Sequence, residues 1–166
     1  GAFDVIQFSG ELQQLKRGAA VSELVQLRDV IDSDLPVFFQ QQNDAEANRQ
    51  ANFPARDEAA FMARWAKSMA DHTNYVRTIV VDDQVVGNIV SFMMNGQREV
   101  GYWLGREYWG RGYATQALAA FLPLIPQRPL FAYVFRQNHG SIRVLEKCGF
   151  VRYGEEGEDI ILKLAA

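Results

Sequence analysis

The sequence predicts a mixed α/β domain in which one sheet carries helices on both faces. Three observations lead there. The apolar period changes from 3.6 to 2 near residue 75 and returns to 3.6 at Gly112. Two turn signals, Asp82-Asp83 and Asn95-Gly96, divide the central stretch into three runs rich in β-branched and aromatic residues. From residue 98 onward, strand and helix patterns alternate.

Residues 1–20 are expected to form an N-terminal extension, with a short helix over 9–17 capped by Ser9, ahead of a single domain over 21–166. Residues 24–28 read as a strand. Asp32 or Ser33 then caps a helix to about Gln42, with Pro36 tolerated in its first turn. The polar run AEANRQANFPAR, 45–56, reads as a loop or broken helix, and a further helix follows over 57–70, with Ala60, Phe61, Trp65 and Met69 near helical spacing. YVRTIVV (75–81) and QVVGNIVSFMM (84–94) make a hairpin, and REVGYWL (98–104) extends it to a three-strand meander. From Gly112, the residues Ala114, Ala117, Leu118, Phe121 and Leu122 keep the i, i+3, i+4 rule until Pro123 stops it. PLFAYVF (129–135) is a buried strand. The helix over 138–147 takes Asn138 as its cap, turns Ile142 and Leu145 inward and ends at Gly149, followed by the apolar Phe150 of a Schellman stop. Two short strands, around Val151 and over 159–164, complete the chain. The strand, helix, strand crossover from 98 to 135 makes its two strands parallel, and ligands of such sheets sit at the strand carboxyl ends.

Composition narrows the function classes. Of 166 residues, 48% are hydrophobic and 22% charged, which suits a globular domain rather than a disordered one. A net charge of -3 argues against nucleic acid as main partner, because phosphate neutralisation needs a basic face. One cysteine, Cys148, allows no intramolecular disulfide or thiolate cluster and fits a reducing cytoplasm. With only His72 and His139, a histidine metal site is not expected. No apolar run approaches the roughly 20 residues of a bilayer span, and polar residues interrupt 1–20, so neither membrane insertion nor export is expected.

The stretch YWGRGYATQAL, 108–118, places Gly110 and Gly112 at the mouth of a helix. A plain turn is one reading. A dinucleotide fingerprint would need a third glycine and a distant acid, where this chain has Thr115, Gln127 and Arg128; a P-loop would need G-K-[ST]. The phosphate reading left is a run of amides over 110–114 facing a pyrophosphate, assisted by the helix dipole. Arg106 and Arg111 flank the loop, and Thr115 offers a hydroxyl.

EVGYWLGREYWGRGYATQAL (99–118) with NHGSIRVLEKCGF (138–150) closely resembles the GNAT superfamily of N-acetyltransferases, in particular the Rim-type branch of ribosomal-protein N-terminal acetyltransferases. The likeness extends more loosely over 24–164. It implies a mixed six- to seven-stranded sheet whose fourth and fifth strands splay apart to hold the pantetheine of acetyl-CoA between them. It also implies that Trp109, Gly110, Arg111, Gly112, Tyr113 and Ala114 hold the pyrophosphate, with Arg106 and Thr115 assisting. The usual motif begins with Gln or Arg, and Trp109 in that place resembles the Rim-type style. Backbone edges at Tyr102, Trp103 and Leu104, and at Tyr133 on the facing strand, would flank the acyl arm. Asn138 resembles a residue contacting the cofactor near its thiol, while capping alone also explains it. A cytoplasmic enzyme and a homodimer are family expectations.

Acetyl transfer needs a neutral amine, a polarised carbonyl and a stabilised thiolate. Glu99 is the candidate base, acting through water beside the small Gly101 on the same strand face; a solvated strand glutamate is the alternative. A backbone amide near Trp103 or Leu104 would hold the oxyanion. Many family members protonate the thiolate with a helix tyrosine, but that position is Leu145 here. Ser141 resembles the serine of the Rim-type branch and becomes the candidate acid, although a third helical residue satisfying the first turn explains it equally. Tyr133 and Tyr102 are reserve donors. The loops over 45–56 and 154–158 should shape the acceptor pocket, and Glu155, Glu156, Glu158 and Asp159 favour a cationic amine, whether a protein N-terminus or a small molecule. The missing tyrosine also motivates a different class, an acyl-CoA-binding sensor without turnover.

Overall fold

Two tight turns set the middle of the sheet. Asp82 (φ 49°) and Asp83 (φ 62°) both adopt left-handed backbone, as do Asn95 (φ 52°) and Gly96 (φ 79°). Consecutive left-handed residues give the twist that antiparallel neighbours require. They join β2 (Tyr75–Val81), β3 (Gln84–Met94) and β4 (Gln97–Leu104). This computed structural model describes residues 24–166. The extension and the helix expected over 9–17 lie outside the described residues.

The meander is extended on both sides. With β1 (Gln26–Arg28), β5 (Leu130–Phe135), β6 (Val151–Glu156) and β7 (Asp159–Leu164), seven strands run in the order β1-β2-β3-β4-β5-β7-β6. All neighbours are antiparallel except the parallel β4 and β5. That one parallel pair touches in register only at Arg98 with Leu130 and Glu99 with Phe131. Beyond these, β4 continues along β3 to Leu104 and β5 continues along β7 to Phe135. Each strand is held by its outer neighbour, so the gap between them is a stable wedge, as the expected splay requires.

Side-chain alternation gives each face its own core. Ile79, Ile89, Val100, Leu130 and Leu162 pack against α4 (Tyr113–Phe121) and α5 (His139–Lys147), which contribute Leu118, Phe121, Ile142 and Leu145. On the opposite face, Val76, Val85 and Val90 meet Phe38 of α1 (Leu35–Gln42) and Phe61 and Trp65 of α3 (Glu58–Ala70). The Phe38 and Trp65 rings lie 5.0 Å apart.

Several boundaries differ from expectation for local reasons. The strand at 24–28 is paired only from Gln26, and α1 starts at Leu35 after a 3-10 turn over Asp32–Asp34, without an Asp32 or Ser33 side-chain cap. Of the two expected forms, residues 45–56 take the broken helix: Ala45–Ala51 forms α2, because Asp44 Oδ2 accepts from the Ala47 amide at 2.9 Å and the run holds several good helix formers. Asn52 ends it in left-handed backbone, φ 50°. The segment 154–158 is mostly strand, since β6 reaches Glu156 and only Gly157 and Glu158 turn the hairpin. The Schellman stop forms as expected: Gly149 has φ 97°, and the Phe150 amide donates to Leu145 O at 3.1 Å.

Asp34 ties β1 to α1 and β2. Its carboxylate, 2% exposed, accepts from Arg28 Nη1 and Nη2 at 2.7 and 2.9 Å, from Thr78 Oγ1 at 2.7 Å and from the Ile31 amide at 3.0 Å. Burial alone would raise its pKa, but the Arg28, Ile31 and Thr78 bonds outweigh burial and hold it below the ordinary value. An Asp34→Ala protein is expected to lose roughly 2–4 kcal/mol of unfolding free energy, since the partners are stranded. Because the folded pKa is depressed, this contribution is present at neutral pH and fades as pH falls through the folded value. Denaturant melts of both proteins at pH 7 and at pH 3 check it: the gap should narrow in acid.

Candidate active site

The wedge opens toward the loop that follows β4. Gly105 leads into a 3-10 turn, Arg106–Tyr108, and then Gly110 (φ 75°) and Gly112 (φ 80°) take left-handed backbone before α4 begins at Tyr113. A Cβ built at either glycine meets no described atom within 4 Å. The glycines therefore answer a backbone requirement, and the space beside them is open. Among the described residues, no side chain caps α4 and no acid occupies its first turn. The first amides of any helix lack intrahelical partners, so this terminus presents donors and a positive dipole end to an anion.

A cleft of about 490 Å³ lies against this terminus, between β4, α4 and α5. Of the expected site residues, Tyr102, Trp103, Leu104, Trp109, Gly110, Gly112, Tyr113, Ala114, Thr115, Asn138 and Ser141 line it. Helix α2 reaches the same cleft through Ala47, Gln50 and Ala51, although the sequence assigned this segment to the acceptor pocket alone. Arg106 and Arg111 are exposed outside the lining; Arg106 Nη2 instead meets Asp44 Oδ1 at 3.4 Å. Trp109 Nε1 donates to Leu104 O at 3.2 Å, folding the loop back on β4.

Asn138 caps α5, its Oδ1 accepting the Ser141 amide at 3.3 Å. One turn inside the cleft, Tyr102 Oη and Ser141 Oγ are 2.8 Å apart, a hydrogen bond across 39 residues of sequence. Burial pushes the Tyr102 phenol up to about 12, against the lowering effect of the Ser141 bond. Leu145 is 3% exposed and belongs to the core. Cys148 packs beside α4, with Sγ 3.8 Å from Thr115 O.

Glu99 and Tyr133 face the other way. Val100, Leu130, Ala132 and partly buried Tyr102 and Val134 join the core under α4 and α5, so alternation turns Glu99, Gly101, Trp103, Phe131 and Tyr133 to the opposite face. Neither Glu99 nor Tyr133 lines the cleft. Tyr133 Oη donates to Gln97 Oε1 at 3.2 Å, and its phenol is raised by burial and by Glu99 and Glu156. Glu99 sits at the last paired position of β4 and β5, where the wedge begins. Partial burial, and then the nearby Glu156, lift its carboxyl to about 7. Beside it, a Cβ built on Gly101 meets nothing within 4 Å, which leaves the expected room. Burial raises Asp159 as well, reinforced by Glu156 and Glu158, so this face carries concentrated negative charge. Asn52 Nδ2 donates to Glu158 Oε2 at 3.0 Å, linking the end of α2 to the β6–β7 turn, and the Phe53 and Trp103 rings stack edge-on at 5.7 Å.

Among the described residues, no helix is long and apolar enough to cross a membrane, and no group of three or more His, Cys, Asp or Glu is arranged for a metal.

The family model of the acetyltransferase (GNAT) domain matches residues 25–151. Over 146 residues the chain is 28% identical to a Bacillus licheniformis protein named Uncharacterized N-acetyltransferase p20, covering 80% of this chain and 82% of that protein. An acetyltransferase from Agrobacterium tumefaciens str. C58 has the same fold, with a TM-score of 0.73 at 20% identity over 86% of this chain and 91% of that one. Aminoglycoside acetyltransferase AAC(6')-Ib in complex with coenzyme A gives 0.74 at 18% identity, covering 85% and 94%. Spermidine N-acetyltransferase from Vibrio cholerae, in complex with CoA and spermine, gives 0.69 at 16%, covering 84% and 92%.

The Glu99 carboxyl yields a stability prediction. Its folded pKa lies above its unfolded one, so the folded state holds the proton more tightly and Glu99 costs stability as pH rises from about 4.5 through about 7. Glu99→Gln is therefore expected to raise the melting temperature at pH 8 and to change it little at pH 5. Calorimetric scans at the two pH values decide; an equal shift at both would refute the assignment.

Proposed function

The chain belongs to the acetyltransferase (GNAT) domain family, and from that premise we propose that it moves the acetyl group of acetyl-CoA to a cationic primary amine by direct transfer in a ternary complex. The observation that carries this reading is the wedge between β4 and β5, which opens directly onto an uncapped helix terminus flanked by glycines. The amides at Gly110, Gly112, Tyr113 and Ala114 would bind the pyrophosphate, with Thr115 and the exposed cations Arg106 and Arg111 near it. The free edges of β4 at Tyr102–Leu104 and of β5 would pair with the amides of the acyl arm as a strand edge does.

The wedge passes through the sheet, so one bound arm is reached from both faces. On the acceptor face, Glu99 takes the proton of the attacking amine, directly or through water. A carboxyl near 7 is a better base at neutral pH than one near 4.5 and is still ionised in a useful fraction. The Glu156, Glu158 and Asp159 carboxylates draw a cation to that face. This charge supports a polyamine-like or aminoglycoside-like acceptor, in keeping with the ligands named for the similar structures. A protein N-terminal amine, which the Rim-type resemblance implies, is the second reading. It draws on the same acidic face.

Screening spermidine, kanamycin and an N-terminal peptide with acetyl-CoA, while following free thiol, tests the proposal; no thiol release above hydrolysis with any amine would sink it. The log of kcat/KM should rise with pH and level off above about 7, and Glu156→Gln should move that limb to lower pH. Glu99→Gln should cost about 100-fold or more in kcat/KM while CoA affinity stays. Gly112→Ala should weaken CoA binding by calorimetry about tenfold or more, at a fold cost of only about 1–2 kcal/mol for its left-handed backbone.

A further inference from the structure

The helix position that many members of this superfamily give to a proton-donating tyrosine is Leu145 here, and Leu145 is sealed in the core. A phenol nevertheless reaches the cleft from a different element. Tyr102 rises from β4 on the cleft face, and its oxygen lies 2.8 Å from Ser141 Oγ at the start of α5. The two oxygens come from different elements, β4 and α5, and both residues line the cleft.

The chemistry gives the bond a direction. A phenol is a stronger donor than an alcohol, and a serine hydroxyl accepts and donates at once. If Tyr102 donates, Ser141 Oγ is fixed as acceptor and its own hydrogen is left to point away from Tyr102. The backbone is equally fixed, because Asn138 Oδ1 holds the Ser141 amide at the first turn of α5. We propose that Tyr102 is a positioning residue that donates to Ser141 Oγ and so aims the Ser141 hydroxyl hydrogen at the sulfur leaving the acetyl group.

This rests on the acetyl-CoA reading above. When the nitrogen–carbon bond has formed and the carbon–sulfur bond breaks, the electron pair goes to sulfur and the amine proton goes to Glu99. Ser141 stabilises the sulfur anion by a hydrogen bond and gives up no proton. Tyr102 also keeps its proton, consistent with a phenol raised to about 12 in an enclosed site. A thiol of ordinary pKa near 8.5 takes its proton from water on release. The step therefore needs no phenolate in the core and no separate acid.

The experiment is a double-mutant cycle with acetyl-CoA and the best amine of the screen. Tyr102→Phe keeps the ring and removes the donor; Ser141→Ala removes the hydroxyl. Each single variant should lose about tenfold in kcat, the low end for a positioned donor, with KM for acetyl-CoA and calorimetric CoA affinity within about twofold. The double variant should be no slower than Ser141→Ala alone, and Ser141→Thr should recover most of the rate. A Tyr102→Phe enzyme with unchanged kcat, or losses that multiply in the double variant, overturns the proposal. So does a Tyr102→Phe protein that no longer binds CoA or melts cooperatively, since the phenol would then be structural. A wild-type protein that releases no thiol would refute the acetyltransferase reading instead, so the two failures are told apart.

Discussion

Two parallel strands at the centre of this sheet meet at two residue pairs and then part, and the rest of the site depends on that refusal to pair. Backbone amides and carbonyls inside a sheet normally satisfy one another, and leaving them unmatched away from water is costly. The fold tolerates it because β3 and β7 hold the outer edges of the two strands along their whole length. The inner edges are thereby left for the extended acyl arm that the proposed function places there. Helices α4 and α5 pack together on one face of the sheet and share one continuous core with it.

The gap also sorts the chemistry by face. On β4, residues three apart point in opposite directions. Glu99 and Tyr102 are such a pair, so the proposed base and the proposed donor would stand on different sides of an acyl arm bound in the gap. Each has the environment its role needs. Glu99 is half-buried beside other carboxylates, which holds its pKa up, whereas Tyr102 is enclosed and bonded to a neutral hydroxyl, which keeps it protonated. Neither environment would survive on the other face.

Much of this was legible in the residues. The hairpins followed from Asp82-Asp83 and Asn95-Gly96, the stop of α5 from Gly149 and Phe150, and the left-handed turn before α4 from Gly110 and Gly112. Local rules decide such features. Helix α2 was legible only as one of two alternatives, loop or broken helix, because AEANRQA has no apolar stripe; its Asp44 cap and helix-forming composition were the signals that decide. Tyr133 was grouped with the cofactor residues although its parity with buried Leu130 and Ala132 already pointed it to the other face. The bond between Tyr102 and Ser141 joins positions 39 apart through a crossover and two layers of packing, and no local pattern encodes such a distance.

The roof of the cleft is fastened differently from its floor. Helix α2 is joined to the loop after β4 by Arg106 and Asp44 and to the β6–β7 turn by Asn52 and Glu158, and both links reach the surface. Exposed contacts of this kind are worth about 0–1 kcal/mol each, against a sheet whose hydrogen bonds are shielded. The two polar links thus contribute little to what holds the roof. The buried Ala47, 2% exposed, and the edge-on contact of Phe53 with Trp103 seat the roof as well, so losing either polar link leaves those apolar contacts in place.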